Sequence, residues 1–221
     1  CDSLTSITIP SGVESIGDFA FDGCIALVEF DVSDDNTKYM SDDEGVLFNK
    51  SGTSLIKYPG GKSGTYTIPS EVTIEDHAFY GCVKLTAIYV EDNVLYSSNS
   101  GVLFNEDGTE LISYPGGKEG PYTIPANVIE INDYAFRYCY GLTSLTVNWS
   151  NEYGIYDIMC YECPNVTEIK VSGNDILQSI DGSIYRVHEN ELYLIRCPEG
   201  KTSLVLPESV VSISSEAASS C

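Results

Sequence analysis

Residues 4–24 read LTSITIPSGVESIGDFAFDGC. The stretch returns as IPSEVTIEDHAFYGC at 68–82 and as IPANVIEINDYAFRYC at 124–139, with LTAIYV near 85 repeating its opening. A repeat of this length is the mark of a solenoid, in which each unit forms one coil and buries its apolar edge only against its neighbours. In the first copy, strand alternation puts Ile7 and Ile9 on one face and Thr8 on the other. Pro10 then ends the ladder because it has no N–H to give. Val13 and Ile16 turn back toward the core, and Ala20-Phe21 pack a tight turn, expected to be helical, before Cys24 closes the coil.

Two periods are nested. Leu4 to Leu27 spans 23 positions and Leu142 to Val166 spans 24, whereas Leu27 to Leu85 spans 58 and Leu85 to Leu142 spans 57. The additional stretch is itself repeated: GVLFNKSGTSLIKYPGGK at 45–62 matches GVLFNEDGTELISYPGGK at 101–118, and a worn third copy runs from Gly182 to Lys201. Its two apolar runs, Gly45–Phe48 and Leu55–Tyr58, are joined by polar residues with a Gly, which predicts a β-hairpin. Whether the hairpins project or stack as further coils is open at this point. The fold class expected is a leucine-rich-repeat solenoid, mainly β, with short helical turns on the convex side and β-hairpin inserts between repeats. Residues 1–221 form a single such domain, and because Cys1 and Cys221 both fall at the cysteine position of the repeat, the chain is expected to be a fragment cut mid-repeat at both ends.

Composition excludes several functions. Lys and Arg total 11 against 33 Asp and Glu, a net charge of −22 that repels phosphate backbones and anionic lipid, so nucleic acid is not an expected partner. No apolar run has the roughly 18 residues that a membrane span needs, so direct membrane insertion is not expected either.

The pattern I-x-I-P-x-x-V-x-x-I-G-x-x-A-F-x-x-C resembles the BspA-like, bacterial surface-antigen type of leucine-rich repeat, and the interleaved GVLFN…GT…LI.YP motif resembles the hairpin-bearing variant of that family. The resemblance covers essentially the whole chain. It departs from the pattern where Met159-Cys160 and Ala217-Ala218 stand in place of Ala-Phe. It implies an extracellular protein, secreted or attached to the cell wall, that takes part in adhesion to a host or bacterial surface protein or glycan. It supplies no shared catalytic residue, cofactor or metal site.

The residues themselves agree with a non-enzymatic reading. His77 and His188 are the only histidines and no G-x-S-x-G or H-E-x-x-H occurs, so nucleophilic and metalloprotease chemistries lack their parts. Gly61-Lys62-Ser63 mimics the end of a phosphate-binding loop, but Ile56 stands where its first Gly belongs and Glu119 replaces the Ser in the second copy. The acidic residues Asp31, Asp34, Asp35, Asp42, Asp43 and Glu44 lack the ordered spacing of a calcium loop and read as a solvated surface. Cys1, Cys24, Cys82, Cys139, Cys163 and Cys221 hold the repeat position and are expected to be buried free thiols. Cys160 and Cys197 lie off it, and a disulfide between them is left open.

Function in a solenoid belongs to the strand residues that point outward and vary without disturbing the core. By register these are Ser6, Thr8, Glu29, Asp31, Ala87, Tyr89, Ser144, Thr146, Glu168 and Lys170, which should form a two-column surface across the coils with Tyr89 as its aromatic anchor. A binding or adhesion module acting through this face is the first expectation; a structural spacer holding other domains away from the wall is the second. The hairpin edges would allow weak self-association.

Overall fold

The computed structural model describes residues 1–148, 160–173, 175–215 and 217–218, and shows a β-solenoid of about nine turns. Nineteen short strands and no helix are found among these residues. The helical turns expected on the convex side are therefore replaced, and the backbone shows why. After β1 (Ser6–Ile9) the chain turns at Pro10 and then makes successive i→i+3 bonds: Ala20 N to Gly17 O, Asp22 N to Phe19 O and Cys24 N to Phe21 O. The residue before the Ala-Phe pair has a left-handed backbone in each copy, with φ of 58° at Phe19, 66° at His77 and 66° at Tyr134. A left-handed residue cannot continue a right-handed helix, so the segment advances as linked β-turns.

Parallel pairs carry the solenoid: β1 with β2 (Glu29–Val32), β6 (Gly64–Ile68) with β8 (Leu85–Val90), and β14 (Leu142–Asn148) between β12 (Gly120–Thr123) and β15 (Glu168–Ser172). Each insert between them is a three-stranded antiparallel meander rather than a simple hairpin. The first runs β3 (Tyr39–Ser41), β4 (Leu47–Asn49) and β5 (Ser54–Lys57), and β5 then pairs in parallel with β7 (Thr73–Ile74) of the next coil. The second, β9 (Tyr96–Asn99), β10 (Val102–Asn105) and β11 (Glu110–Ser113), ends on β13 (Glu130–Ile131) in the same way, and the third, β16 (Leu177–Ile180), β17 (Ser183–His188) and β18 (Glu191–Arg196), ends on β19 (Val210–Ile213). The inserts thus stack as coils. In the second and third, the first two strands join through two residues of positive φ, Ser100-Gly101 and Asp181-Gly182, the geometry whose twist suits a tight hairpin.

Four apolar clusters follow one another along the axis, built around Phe30, around Tyr58 with Ile68, around Phe136 with Leu145, and around Tyr185 with Leu194. The repeat cysteines Cys24, Cys82, Cys139 and Cys163 are buried and free, as expected, and their thiols serve as donors between coils: Cys82 Sγ to Tyr58 O at 3.7 Å and Cys139 Sγ to Tyr114 O at 3.8 Å. Cys1 differs, being exposed, and Cys221 lies outside the described residues. Cys197 is disulfide-bonded and Cys160 is free, so these two are not a pair.

Candidate functional site

The strand face is where the sequence reading looks for function, and register pairs its residues within each sheet. Ser6 lies opposite Glu29 and Thr8 opposite Asp31, with Thr8 Oγ1 donating to Asp31 Oδ2 at 3.2 Å. Ser144 lies opposite Glu168 and Thr146 opposite Lys170, whose ammonium pairs with Glu168 of its own strand at 2.8 Å. Tyr89 is 47% exposed. Ala87 is not on the surface: it is buried beneath Gly101, where any Cβ would come within 2.5 Å of the Ala87 methyl. Thr65, Thr67 and Thr123 complete the face from β6 and β12, strands that lack the L-x-x-I-x-I signature and were visible only in the repeated Y-T-I-P.

This face is not one continuous surface. At each insert a glycine backbone takes the slot where a further parallel strand would pair: Phe30 N donates to Gly45 O, Ile88 N to Gly101 O and Ile169 N to Gly182 O. The inserts therefore divide the solenoid strands into separate parallel sheets of two, two and three. The ten predicted residues fall on different sheets, and among the described residues no ring contact is found for Tyr89.

The opposite, turn side carries a feature that strand-face reasoning missed. Phe19, His77 and Tyr134 hold the same left-handed position in coils one super-repeat apart, and their rings meet. Phe19 stacks on His77 with centroids 4.5 Å apart, and His77 meets Tyr134 edge-on at 5.3 Å. Tyr80 lies edge-on to both Phe19 and Tyr134, and Tyr138 joins at 5.2 Å from Tyr80. The Arg137 guanidinium covers Tyr80 at 4.9 Å. Although packed on one another, Phe19 and Tyr134 remain 47% and 39% exposed. The sequence signal was present as the D-F-A-F, D-H-A-F and D-Y-A-F motifs, in which an acidic residue and a ring precede Ala-Phe each time.

The insert coils are recessed between these ridges, leaving two adjoining clefts. One, of about 330 Å³, runs between Phe19 and His77 over Ile56 and Lys57. The other, of about 370 Å³, runs between His77 and Tyr134 over Ile112 and Tyr114. Lys57 is buried, and its ammonium donates to His77 O at 2.9 Å and Tyr80 O at 2.6 Å; desolvation lowers its pKa. Desolvation likewise holds the Tyr80 phenol protonated well above its ordinary range, against the pull of Arg137.

Other candidate chemistry is architectural. At Gly61 a Cβ would lie 2.5 Å from the Ala26 carbonyl carbon and 2.6 Å from its oxygen, so the phosphate-loop look-alike is a point where coils touch backbone to backbone. Asp42 spends its carboxylate on the N–H groups of Glu44 and Val46 at 3.0 and 2.8 Å, closing a turn. Among the described residues no group of three or more His, Cys, Asp or Glu is placed to hold a metal ion.

Comparison with known proteins agrees with this architecture. The sequence profile of the BspA type Leucine rich repeat region matches residues 1–112 in six copies. Among solved structures, a leucine rich cell surface protein from Faecalibacterium prausnitzii A2-165 superposes with a TM-score of 0.50 at 24% identity over 96% of this chain and 50% of its own. A leucine-rich repeat protein from Eubacterium ventriosum ATCC 27560 gives 0.47 at 23% identity, covering 95% of this chain and 57% of its own. The pneumococcal vaccine antigen PcpA gives 0.44 at 18% identity, covering 98% and 64% respectively. This chain thus spans between half and two thirds of the length of these solved chains. No functionally curated protein matches it.

Proposed function

The chain belongs to the BspA-type leucine-rich-repeat family, and from that premise we propose that it is a non-catalytic binding module of a bacterial cell surface, secreted or wall-attached, that takes part in adhesion to a surface protein or glycan. The observation that carries this reading is the row of Phe19, His77 and Tyr134 on the turn side, whose two outer rings are exposed. Large rings left half-exposed on an acidic solenoid have no part in its core, and clustered aromatic anchors in a concave surface are the usual energetic centre of an interface.

The spacer reading draws its support from the strand face, which is divided into three sheets and shows no clustered anchor among the described residues. Surface plasmon resonance against purified extracellular-matrix proteins and mucin glycans separates the readings. The chain should bind one of these saturably, and the double variant Phe19→Ala/Tyr134→Ala should weaken binding about tenfold or more while Tyr89→Ala/Glu29→Lys leaves it unchanged. The converse pattern would return the site to the strand face, and no binding by the folded chain would favour the spacer.

A further inference from the structure

We propose that the two clefts flanking His77 receive basic side chains, so that the partner is a polypeptide segment carrying neighbouring lysines or arginines. The inference rests on the binding-module reading and adds the chemistry of the partner. Its first support is charge. The cleft between Phe19 and His77 is lined by Asp18, Asp22, Glu75 and Asp76 against Lys57, and that between His77 and Tyr134 by Glu75, Asp76, Glu110 and Asp133 against Arg137. The two Lys and Arg residues that line the clefts are already engaged, Lys57 on backbone carbonyls and Arg137 over three tyrosine rings, so the outer carboxylates Asp18, Asp76 and Asp133 stand without a positive neighbour among the described ion pairs.

The second support is independent of charge count. Tyr80 is only 6% exposed and lines both clefts, yet its hydroxyl has no hydrogen-bond partner among the described residues. Asp22 Oδ1 and His77 Nδ1, in the first cleft, are likewise buried without a partner. Buried polar atoms are nearly always satisfied, because leaving one bare costs about 1–3 kcal/mol. The Asp22 carboxylate oxygen can only accept and the Tyr80 hydroxyl can accept as well as donate, so a donor would satisfy both. An ammonium or guanidinium has only donors, is drawn to ring faces, and is favoured by a surface of net charge −22.

The third support is the repetition. The acidic residue and ring recur at Asp18-Phe19, Asp76-His77 and Asp133-Tyr134, and the clefts share Glu75, Asp76, His77 and Tyr80 as a common wall. Two like pockets side by side suit two side chains of one extended segment better than a single small cation.

The test is fluorescence anisotropy at 150 mM salt with labelled oligolysine, oligoarginine and oligoglutamate peptides, a neutral oligosaccharide, and spermidine as competitor. Saturable binding of the basic peptides, weakened tenfold or more by Asp18→Asn/Asp76→Asn/Asp133→Asn and by Phe19→Ala/Tyr134→Ala, is the expected result. The charge-matched variant Asp35→Asn/Asp92→Asn/Glu106→Gln, which touches neither cleft, should change affinity less than twofold. Equal losses from both neutralised triples would show attraction by bulk charge alone and overturn the proposal. Spermidine displacing the peptide at equal concentration would overturn the two-pocket polypeptide reading. Ring-dependent binding of the oligosaccharide without the basic peptides would overturn the cationic inference and leave the binding module standing, whereas no binding by any probe, with thermal unfolding unchanged, would count against both.

Discussion

Single backbone positions decide how tightly each coil closes. The residue before the repeat cysteine is left-handed in all four of the coils where it is described, with φ of 65° at Gly23, 76° at Gly81, 59° at Tyr138 and 56° at Glu162. In the first two copies the G-C pair made this legible; in the later two the sequence hides it, because nothing in R-Y-C or Y-E-C announces a backbone that L side chains avoid. A non-glycine residue in this region costs roughly 1–2 kcal/mol, partly offset by the greater freedom a glycine loses on folding. Glu162 is exposed, and what it gives the fold is its N–H, which the Glu199 carboxylate accepts at 3.0 Å. Glu162→Gly keeps that bond and should raise stability by about 0.5–1 kcal/mol in urea unfolding, whereas Tyr138→Gly should gain less because it also removes a ring from the turn-side cluster. Gly61 presents the opposite case: a Cβ there would lie 2.5 Å from the Ala26 carbonyl carbon, so Gly61→Ala should cost roughly 1–3 kcal/mol by the same measurement.

Elements show where a repeat pattern informs and where it stops. The apolar runs around Phe48 and Leu55 were legible as a hairpin because they carry the alternation and polar turn that strands need. The strand that precedes them, Tyr39–Ser41 or Tyr96–Asn99, was not, since Y-M-S and Y-S-S-N have no apolar period. Its role is polar: Tyr39 OH accepts Ile16 N at 2.9 Å and Tyr96 OH accepts Ile74 N at 3.0 Å, each pinning the insert to the coil before it. Ser41 Oγ and Ser98 Oγ add bonds to Val32 N and Ile88 O from the same strands. Tyr96→Phe should therefore cost about 1 kcal/mol and speed hydrogen exchange at the Ile74 amide, with other amides of the coil little changed. Equal acceleration throughout the coil would mean that the ring, not the hydroxyl, holds the element. The helical turns expected from Ala-Phe failed for a reason of the same kind, because apolar spacing locates a turn but does not report the sign of φ at Phe19, His77 or Tyr134.

At the scale of the whole molecule, the nested periods made the solenoid legible, and the excess of carboxylates made its acidic surface so. What they could not reveal is how much of the axis depends on buried phenols. Tyr58 and Tyr66 in one cluster, and Tyr114 with its packed neighbour Tyr122 in the next, have their pKa values raised by desolvation well above that of a free tyrosine, and burial pushes the Cys82 thiol up to about 12. For each of these groups the folded state keeps a proton that the unfolded chain releases near its ordinary value of about 9 to 10, so stability is present in full below that range and falls as pH climbs through it. Lys57 works the other way, since its lowered value means the folded state sheds its proton first and gains as the pH approaches 10.5, but it is one group against five. The net charge, already −22, grows more negative over the same interval and adds repulsion. Urea midpoints measured from pH 8 to 11 should therefore fall steeply above pH 9, and the tyrosinate absorbance should rise together with loss of the far-ultraviolet strand signal. Because coils are stabilised by their neighbours, loss of these central clusters should take most of the array with it. Tyrosinate appearing in full while the strand signal is intact would show that the four rings are open to solvent and that the solenoid is held by its apolar edges alone.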